Sequence, residues 1–248
     1  MKIKLLVVVA VATLASSAMA QSAFQGFYGQ ISTGYESNSA TGINSPLTLS
    51  DGVRTEVFGS ISASNQNFGG MPLIAGLGYN FSVTPKWLIG IGADYSFLTQ
   101  ESSSFATNSN IGPGLDGTLN GAKLKASNRL NIFITPGYSI DKDKLVYLKA
   151  GYSSVKVDDS APSSSTQMGI TTPVTGTSQS KTLNGYVLGV GYKQIISGGF
   201  YGFAEANYMN YGKQSFTTTY TDREYSLVTN PSIGLSSYQF LVGVGYKF

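Results

Sequence analysis

Hydrophobic and polar residues alternate along most of the chain with a period of two, which predicts β-strands rather than helices. Eight runs of residues follow this alternation. They are Phe27–Glu36, Leu73–Phe81, Trp87–Phe97, Arg129–Tyr138, Val146–Tyr152, Tyr186–Lys193, Phe200–Tyr208 and Tyr238–Phe248. Most of these runs are close to the nine to eleven residues, roughly, that a tilted strand needs to cross a bilayer. The pattern therefore predicts eight antiparallel strands arranged as four hairpins.

The connections between these runs alternate in length. Three are short: Ser82–Lys86, Ser139–Leu145 and Gln194–Gly199. Four are long and rich in Ser, Thr, Asn and Gly: Ser37–Pro72, Leu98–Asn128, Ser153–Gly185 and Met209–Ser237. Connections as long as these are uncommon in soluble domains. We expect all the short turns at one end of the sheet and all the long loops at the other.

The two faces of the predicted strands differ in charge. One face is apolar and carries no charged residue: Ile31, Leu73, Leu77, Ile89, Ile91, Leu130, Ile132, Ile134, Val146, Leu148, Leu188, Val190, Ala204, Ala206, Val242 and Val244. The opposite face carries glycines and the charged residues Glu36, Asp94, Arg129, Lys149, Lys193, Glu205 and Lys247. A basic residue that faces lipid at the bilayer midplane costs about 2–4 kcal/mol. This sorting favours a membrane barrel, since a soluble barrel would place its polar face outward.

Tyrosines recur at matched positions of the strands. Tyr79, Tyr138, Tyr192 and Tyr246 each follow a glycine near the end of an even-numbered strand, and Tyr35, Tyr95, Tyr152 and Tyr208 lie toward the other end of the odd-numbered strands. If strand direction alternates, the two sets form two parallel rings. Membrane barrels place aromatic girdles of this kind at their two interfaces. Lipid leaves no partner for an open strand edge, so the sheet must close.

The N-terminus has the three parts of a secretory signal peptide. A basic segment, Met1–Lys4, precedes the apolar run Leu5–Leu14, and Ala18-Met19-Ala20 fits the cleavage pattern. A membrane anchor would need about twice this apolar length. We predict two parts of the chain: a signal peptide over residues 1–20 and a barrel domain over residues 21–248.

Composition excludes much chemistry. The chain has no histidine and no cysteine, which excludes a Ser-His-Asp relay, a thiolate nucleophile and a histidine-ligated zinc. Only 12% of its residues are charged, against about 25% in ordinary soluble domains. A formal net charge of +3 is too small to indicate nucleic-acid binding. We expect no catalytic residue, no metal site and no cofactor.

Taken together, the signal peptide, the eight strands and the C-terminal strand resemble the small outer-membrane β-barrel proteins of Gram-negative bacteria, the OmpA-like and opacity-like "porin family" group. The resemblance rests on the alternating residues Phe240, Val242, Val244, Tyr246 and Phe248. It implies an eight-stranded antiparallel up-and-down transmembrane β-barrel, with short periplasmic turns and long extracellular loops. It also implies a monomer whose partners are outer-membrane lipid, lipopolysaccharide and the barrel-assembly machinery, which would recognise Tyr246 and Phe248. Barrel enzymes of this membrane rely on histidine, so we expect no enzyme.

Four inward charges are expected near the middle of the barrel: Asp94, Arg129, Lys149 and Glu205. They form either an ion-pair cluster that gates a narrow passage or a neutralised filling without a transport role. We favour the filling, because an eight-stranded barrel is just wide enough for side chains to fill it.

The function then has several candidates. We expect a structural and surface role, with a low-conductance pore or a surface adhesin acting through the long loops as alternatives. The loops hold runs such as Ser102–Ser104, Ser163–Ser165 and Thr217–Thr219, which fit a hydrophilic cover better than an adhesive surface. A secreted soluble ligand carrier is the remaining possibility.

Overall fold

A computed structural model describes residues 22–50, 55–111, 116–222 and 225–248, and the predicted signal peptide lies outside these residues. The described residues form seventeen strands. In chain order they are β1 (Gly26–Thr41), β2 (Asn44–Ser50), β3 (Thr55–Ser62), β4 (Gln66–Gly70), β5 (Leu73–Ser82), β6 (Trp87–Ser96), β7 (Gln100–Glu101), β8 (Phe105–Asn110), β9 (Gly117–Asp141), β10 (Lys144–Ser160), β11 (Ser164–Gln167), β12 (Ile170–Pro173), β13 (Gln179–Ser197), β14 (Phe200–Ser215), β15 (Thr218–Asp222), β16 (Tyr225–Thr229) and β17 (Ser232–Lys247).

Eight of these strands pair in a closed antiparallel ring. Going round, β1 pairs with β5, followed by β6, β9, β10, β13, β14 and β17, and β17 pairs with β1. Following paired residues once round from Gln30 leads back to Ala40 on the same strand, a stagger of ten residues. Closing a sheet with such a stagger requires strands tilted by about 40°.

The ring contains all eight predicted strands, but most of them extend well beyond the predicted bounds. The longest, β9, begins twelve residues before Arg129, and β10 continues from Tyr152 to Ser160. These large extensions lie at the end with the long connections. The short turns are shorter than predicted; the one between β13 and β14 consists of Gly198 and Gly199, both with positive φ (54° and 91°). Glycine adopts this backbone conformation without strain.

The long connections were predicted to be loops, but much of their length forms strands. They contain nine further strands, of which seven join the start of β9 in a second antiparallel sheet, which we call the crown. Its pairing order is β12, β11, β9, β8, β3, β2, β16 and β15. Ser and Thr residues on both faces of these short strands hide the period-two pattern that would have indicated them.

The side-chain sorting predicted for the eight strands is confirmed. Every Leu, Ile and Val assigned to the apolar face is exposed on the outside of the ring, from 36% for Val146 to 69% for Leu77. Of the charged residues assigned to the opposite face, Glu36, Asp94, Arg129, Lys149, Lys193 and Glu205 are buried inside it, and Lys247 is partly exposed. An exposed apolar surface that surrounds a whole fold is a surface for lipid or another apolar partner.

An apolar cluster fills the ring at the end with the long connections. Its fourteen buried members are Ala40, Ile43, Phe68, Leu124, Ala126, Val155, Val157, Leu183, Val187, Met209, Tyr211, Phe216, Ile233 and Leu235. A smaller cluster of Phe24, Leu88, Leu145 and Tyr147 lies at the opposite end, where the short turns are. The interior is therefore apolar at both ends, which the sequence analysis did not predict.

Replacing Met209, a fully buried member of the apolar cluster, with alanine should destabilise the protein by about 2–5 kcal/mol, because it leaves a cavity. Urea unfolding in detergent micelles measures this through the fluorescence of Trp87, the only tryptophan. The matched control is Leu188→Ala on the outer face, where detergent fills the space that the side chain leaves. Equal losses for the two variants would contradict a packed interior.

Candidate functional site

The outside of the ring carries two belts of aromatic side chains. Of the eight tyrosines predicted as girdles, Tyr79, Tyr138, Tyr192 and Tyr246 lie toward the short turns, and Tyr35, Tyr95, Tyr152 and Tyr208 lie toward the long connections. All eight are exposed or half-exposed. The two belts also contain exposed aromatic residues that were not predicted as members, including Phe27, Trp87, Tyr186, Phe200 and Tyr238.

Contacts between strands join these aromatic residues into belts. At the short-turn end, the rings of Phe27 and Tyr79 are 4.7 Å apart and those of Trp87 and Tyr138 are 5.0 Å apart. At the other end, the rings of Tyr208 and Tyr238 are 4.9 Å apart. Eight residues separate the belts along a strand, as from Tyr238 to Tyr246, which is about 26 Å at 3.3 Å per residue. A tilt near 40° reduces the height to roughly 20 Å, close to the apolar band of a membrane barrel.

Inside the ring, Lys149 is the centre of a buried group that we call the lower polar layer. Its Nζ donates to Asp94 Oδ2 at 2.7 Å and to Glu205 Oε1 at 2.9 Å. The Tyr147 hydroxyl donates to Glu205 Oε2 at 2.7 Å, and Asn131 donates to Asp94 Oδ1 at 2.6 Å. Three of the four charges predicted to cluster therefore lie together, in a group that draws on four different strands.

Arg129, the fourth predicted member, does not contact this group. Its guanidinium forms an ion pair with Glu36 and donates to the Tyr211 hydroxyl at 2.8 Å and to Asn38 Oδ1 at 3.0 Å. Gln239 donates to the same Glu36 carboxylate at 2.7 Å. We call these residues the upper polar layer, because they lie toward the apolar cluster, which shares Tyr211.

A β-bulge lies directly before Arg129 in β9. The pairing of β9 with β10 shifts between Ser154 and Lys156, and Asn128 on β9 has a φ of 51°. After the bulge, from Arg129 to Ser139, the odd-numbered residues of β9 are buried. Before it, from Ala122 to Ala126, the even-numbered residues are buried. The regular alternation assumed from the sequence gives no sign of such a change. Arg129 lies at the change and is directed to Glu36.

Lys193 occupies a third buried position, nearest the short turns. Its Nζ lies 4.0 Å from the centre of the Tyr28 ring, 5.0 Å from that of Tyr201 and 5.2 Å from that of Tyr147. Aromatic faces attract a cation at these distances. Lys193 was predicted on the inner face but was not assigned to a site. Its surroundings are aromatic residues on three other strands, and the sequence of its own strand gives no sign of them.

Charge is balanced across the three positions. Three carboxylates, Glu36, Asp94 and Glu205, and three basic groups, Arg129, Lys149 and Lys193, are all buried, although Lys193 contacts aromatic rings and not a carboxylate. Burying an unpaired charge is costly, whereas paired and hydrogen-bonded charges are tolerated. Phe133, Phe203 and the apolar clusters occupy the space around them. These buried polar and apolar side chains can hold the strands in register and fill the interior of the ring.

The C-terminal residues predicted as an assembly signal lie on the outer face. Tyr246 packs against Phe200, with ring centres 4.8 Å apart, and against Phe248 at 5.1 Å. The backbone N–H of Phe248 donates to the carbonyl of Phe27 at 2.9 Å, which extends the pairing of β17 with β1. The Phe248 side chain is 76% exposed.

The described part of the chain was searched for groups of acidic residues that could bind a metal ion and for helices that could span a membrane. In residues 22–50, 55–111, 116–222 and 225–248, no three acidic residues come together in a group that could hold a metal ion. The same residues include no helix of the length and apolarity needed to span a membrane.

Comparison with known proteins gives a family match over almost the whole chain. The model of the outer membrane protein β-barrel domain matches residues 6–248. No curated protein matches the chain.

Several solved structures are similar at low sequence identity. The attachment invasion locus protein Ail of Yersinia pestis is 15% identical over 90% of this chain and 99% of its own, with a TM-score of 0.38. Neisserial surface protein A is 15% identical over 90% of this chain and 97% of its own, with a TM-score of 0.42. The outer membrane protease OmpT from Escherichia coli is 13% identical over 94% of this chain and 100% of its own, with a TM-score of 0.48.

Replacing Lys149 with methionine should destabilise the protein by about 3–5 kcal/mol, because Asp94 and Glu205 would then remain buried without a cation. The loss is measured by urea unfolding in micelles. A triple variant, Lys149→Met with Asp94→Asn and Glu205→Gln, should recover at least half of it.

The control for this substitution is Lys156→Met. Lys156 pairs with Asp158 at 3.3 Å on the exposed side of β10, where an ion pair contributes about 0–1 kcal/mol. If Lys149→Met costs no more than this control, the lower polar layer does not hold the ring together.

Proposed function

The chain belongs to the outer membrane protein β-barrel domain family, and we propose that it forms an eight-stranded transmembrane barrel whose interior is sealed. In this proposal the barrel has a structural and surface role in the outer membrane, without enzymatic activity. The short turns face the periplasm, and the crown faces the exterior. Residues 1–20 act as a cleaved signal peptide.

The observation that carries the proposal is the occupied interior. From the short turns outward, the ring contains the smaller apolar cluster, Lys193 among its aromatic rings, the two polar layers and the larger apolar cluster. A conducting barrel would need a continuous file of water past these groups. The larger apolar cluster excludes a continuous file of water, because its side chains, apart from the Tyr211 hydroxyl, form no hydrogen bonds with water.

The outer surface supports the transmembrane position. Exposed Leu, Ile and Val side chains lie between the two aromatic belts, as expected for the lipid-facing side of a barrel. Outer-membrane lipid and lipopolysaccharide are the proposed partners of this surface. The barrel-assembly machinery is the proposed partner of β17, through Tyr246 and Phe248. The proposal that the protein is not an enzyme rests on its lack of histidine and cysteine.

We expect the protein in isolated membranes to remain in the pellet after carbonate washing and to migrate differently on SDS gels before and after boiling, because a closed barrel resists SDS until heated. In planar bilayers the same preparation should show no discrete conductance. Release by carbonate without a heat shift would contradict the membrane barrel and favour the secreted carrier. Discrete openings that change in the Asp94→Asn variant would contradict the sealed interior and favour the pore.

A second candidate function, surface adhesion, is supported by exposed apolar side chains on the crown. Val57 and Phe58 on β3 are 72% and 46% exposed, and Met168 and Ile170 at the β11–β12 turn are 70% and 67% exposed. Side chains of this kind at the outer end of a rigid scaffold are suited to binding another surface.

If these residues support adhesion, the double substitution Met168→Ser and Ile170→Ser should reduce the attachment of expressing cells to polystyrene by more than half, because it removes apolar contact area. The control is Ile140→Ser, which removes an exposed apolar side chain (54%) at the short-turn end. Unchanged attachment of the double variant, at equal surface expression, would leave adhesion without support from this turn.

A further inference from the structure

A small cavity lies where the crown meets the ring. Residues from seven strands and their connections line it, with apolar walls that include Ile43, Ile61 and Phe105. Its free volume is about 30 Å³. A single water needs about 10–15 Å³ on this measure, so the cavity has room for about two groups of that size.

One carboxyl group lies in the cavity wall. Asp159 is at the end of β10, where it pairs with Leu124 on β9 and with Gln179 on β13. It continues the alternation of the buried residues Val155 and Val157, so its side chain is directed to the inside, where the residue is partly buried. Among the described residues, no donor or cation contacts this carboxyl, and burial raises its pKa to about 6. Thr107, Thr218 and Thr229 complete the polar part of the wall.

Among the residues that the structure describes, Lys181 is a basic residue on the inner face close to Asp159 along the paired strands, and it is already engaged. Lys181 on β13 pairs with Val157, two residues from Asp159, but its Nζ donates to the Ser215 carbonyl at 2.5 Å and lies over the Phe216 ring at 5.9 Å. The other charged neighbours on the described parts of β9 and β10 lie on the outer face of these two strands. There Lys123 and Lys125 pair with Glu101, and Lys156 pairs with Asp158.

We propose that this cavity binds the end of a primary alkylammonium, with the ammonium on Asp159 and the first methylene against the apolar wall. A cation with N–H donors stabilises a carboxylate in an apolar wall, because it supplies both the opposite charge and the hydrogen bonds. The volume restricts the part that enters to an ammonium and an adjoining methylene. The threonine hydroxyls accept the remaining N–H bonds. The site lies on the crown side, so it adds a ligand to the surface role without using the sealed interior.

Titrating n-butylammonium chloride into the full-length protein in micelles, followed by saturation-transfer NMR, tests the site. Wild-type protein should bind at pH 7.5, and Asp159→Asn should bind at least about tenfold more weakly, because the paired charge is lost. Asp158→Asn, the neighbouring carboxyl on the outer face, is the matched control and should bind as wild type does. Equal binding by Asp159→Asn and wild type would overturn the proposal.

The pH dependence gives a second readout. The carboxylate is the form that binds, and with a pKa of about 6 only about a tenth of it remains ionised at pH 5. Butylammonium stays protonated throughout, so wild-type affinity should fall about tenfold from pH 7.5 to pH 5. The Asp159→Asn variant should show no such fall. A pH-independent wild-type affinity would contradict the assignment.

A neutral ligand and a lysine variant test whether the cavity recognises charge. Butan-1-ol should bind at least tenfold more weakly than butylammonium, and equal binding would indicate an apolar cavity without cation recognition. Lys181→Gln should leave the affinity unchanged, whereas tighter binding would show that Lys181 serves Asp159 in solution and would overturn the proposal. The heat shift on SDS gels, recorded on each variant, reports the closed barrel separately, so failure of one proposal is distinguishable from failure of the other.

Discussion

The pairing of β1 with β17 is the interaction on which the rest of the structure depends. It joins the first and last strands of the ring over fourteen paired residues, from Tyr28 with Lys247 to Thr41 with Gly234. Without it the eight strands would form an open sheet with two long unpaired edges, and unpaired backbone groups cost several kcal/mol each in lipid. Closure also separates an inside from an outside, so that one face of every strand can bury charge while the other remains apolar.

The interior follows from this closure. A ring of eight strands with a stagger of ten residues has little room beyond that needed by side chains. Charges placed there have no bulk water and must find partners inside the ring. Glu36 pairs with Arg129, Asp94 and Glu205 pair with Lys149, and Lys193 lies among aromatic rings. Amides and hydroxyls complete the hydrogen bonds of the paired groups. The apolar clusters above and below restrict access of water to these pairs. A lower dielectric strengthens each pair and makes the loss of one partner more costly.

Sequence alternation was sufficient to predict which strands form the ring and which face of each is buried, because both depend on a strict period of two. It failed where that period changes. The bulge at Asn128 exchanges the buried and exposed positions of β9, so the residues before Arg129 did not continue the pattern and were assigned to a loop. Lys193 shows another limit, since its aromatic surroundings depend on the register of several strands.

The crown shows how a polar sequence can still form an ordered sheet. Its strands are rich in Ser and Thr, whose side chains tolerate burial and exposure alike, and apolar residues lie on both faces: Ile61 is buried, whereas Val57 and Phe58 are exposed. Order comes instead from neighbours: β9 extends as one strand from the ring into the crown and pairs there with β8 and β11. The crown is thus attached to the ring by a continuous backbone ladder, and Phe105 of β8 packs against the apolar cluster beneath it. Because β9 belongs to both sheets, backbone pairing holds the crown on the ring. The exposed residues of the crown and the cavity beneath it therefore have fixed positions.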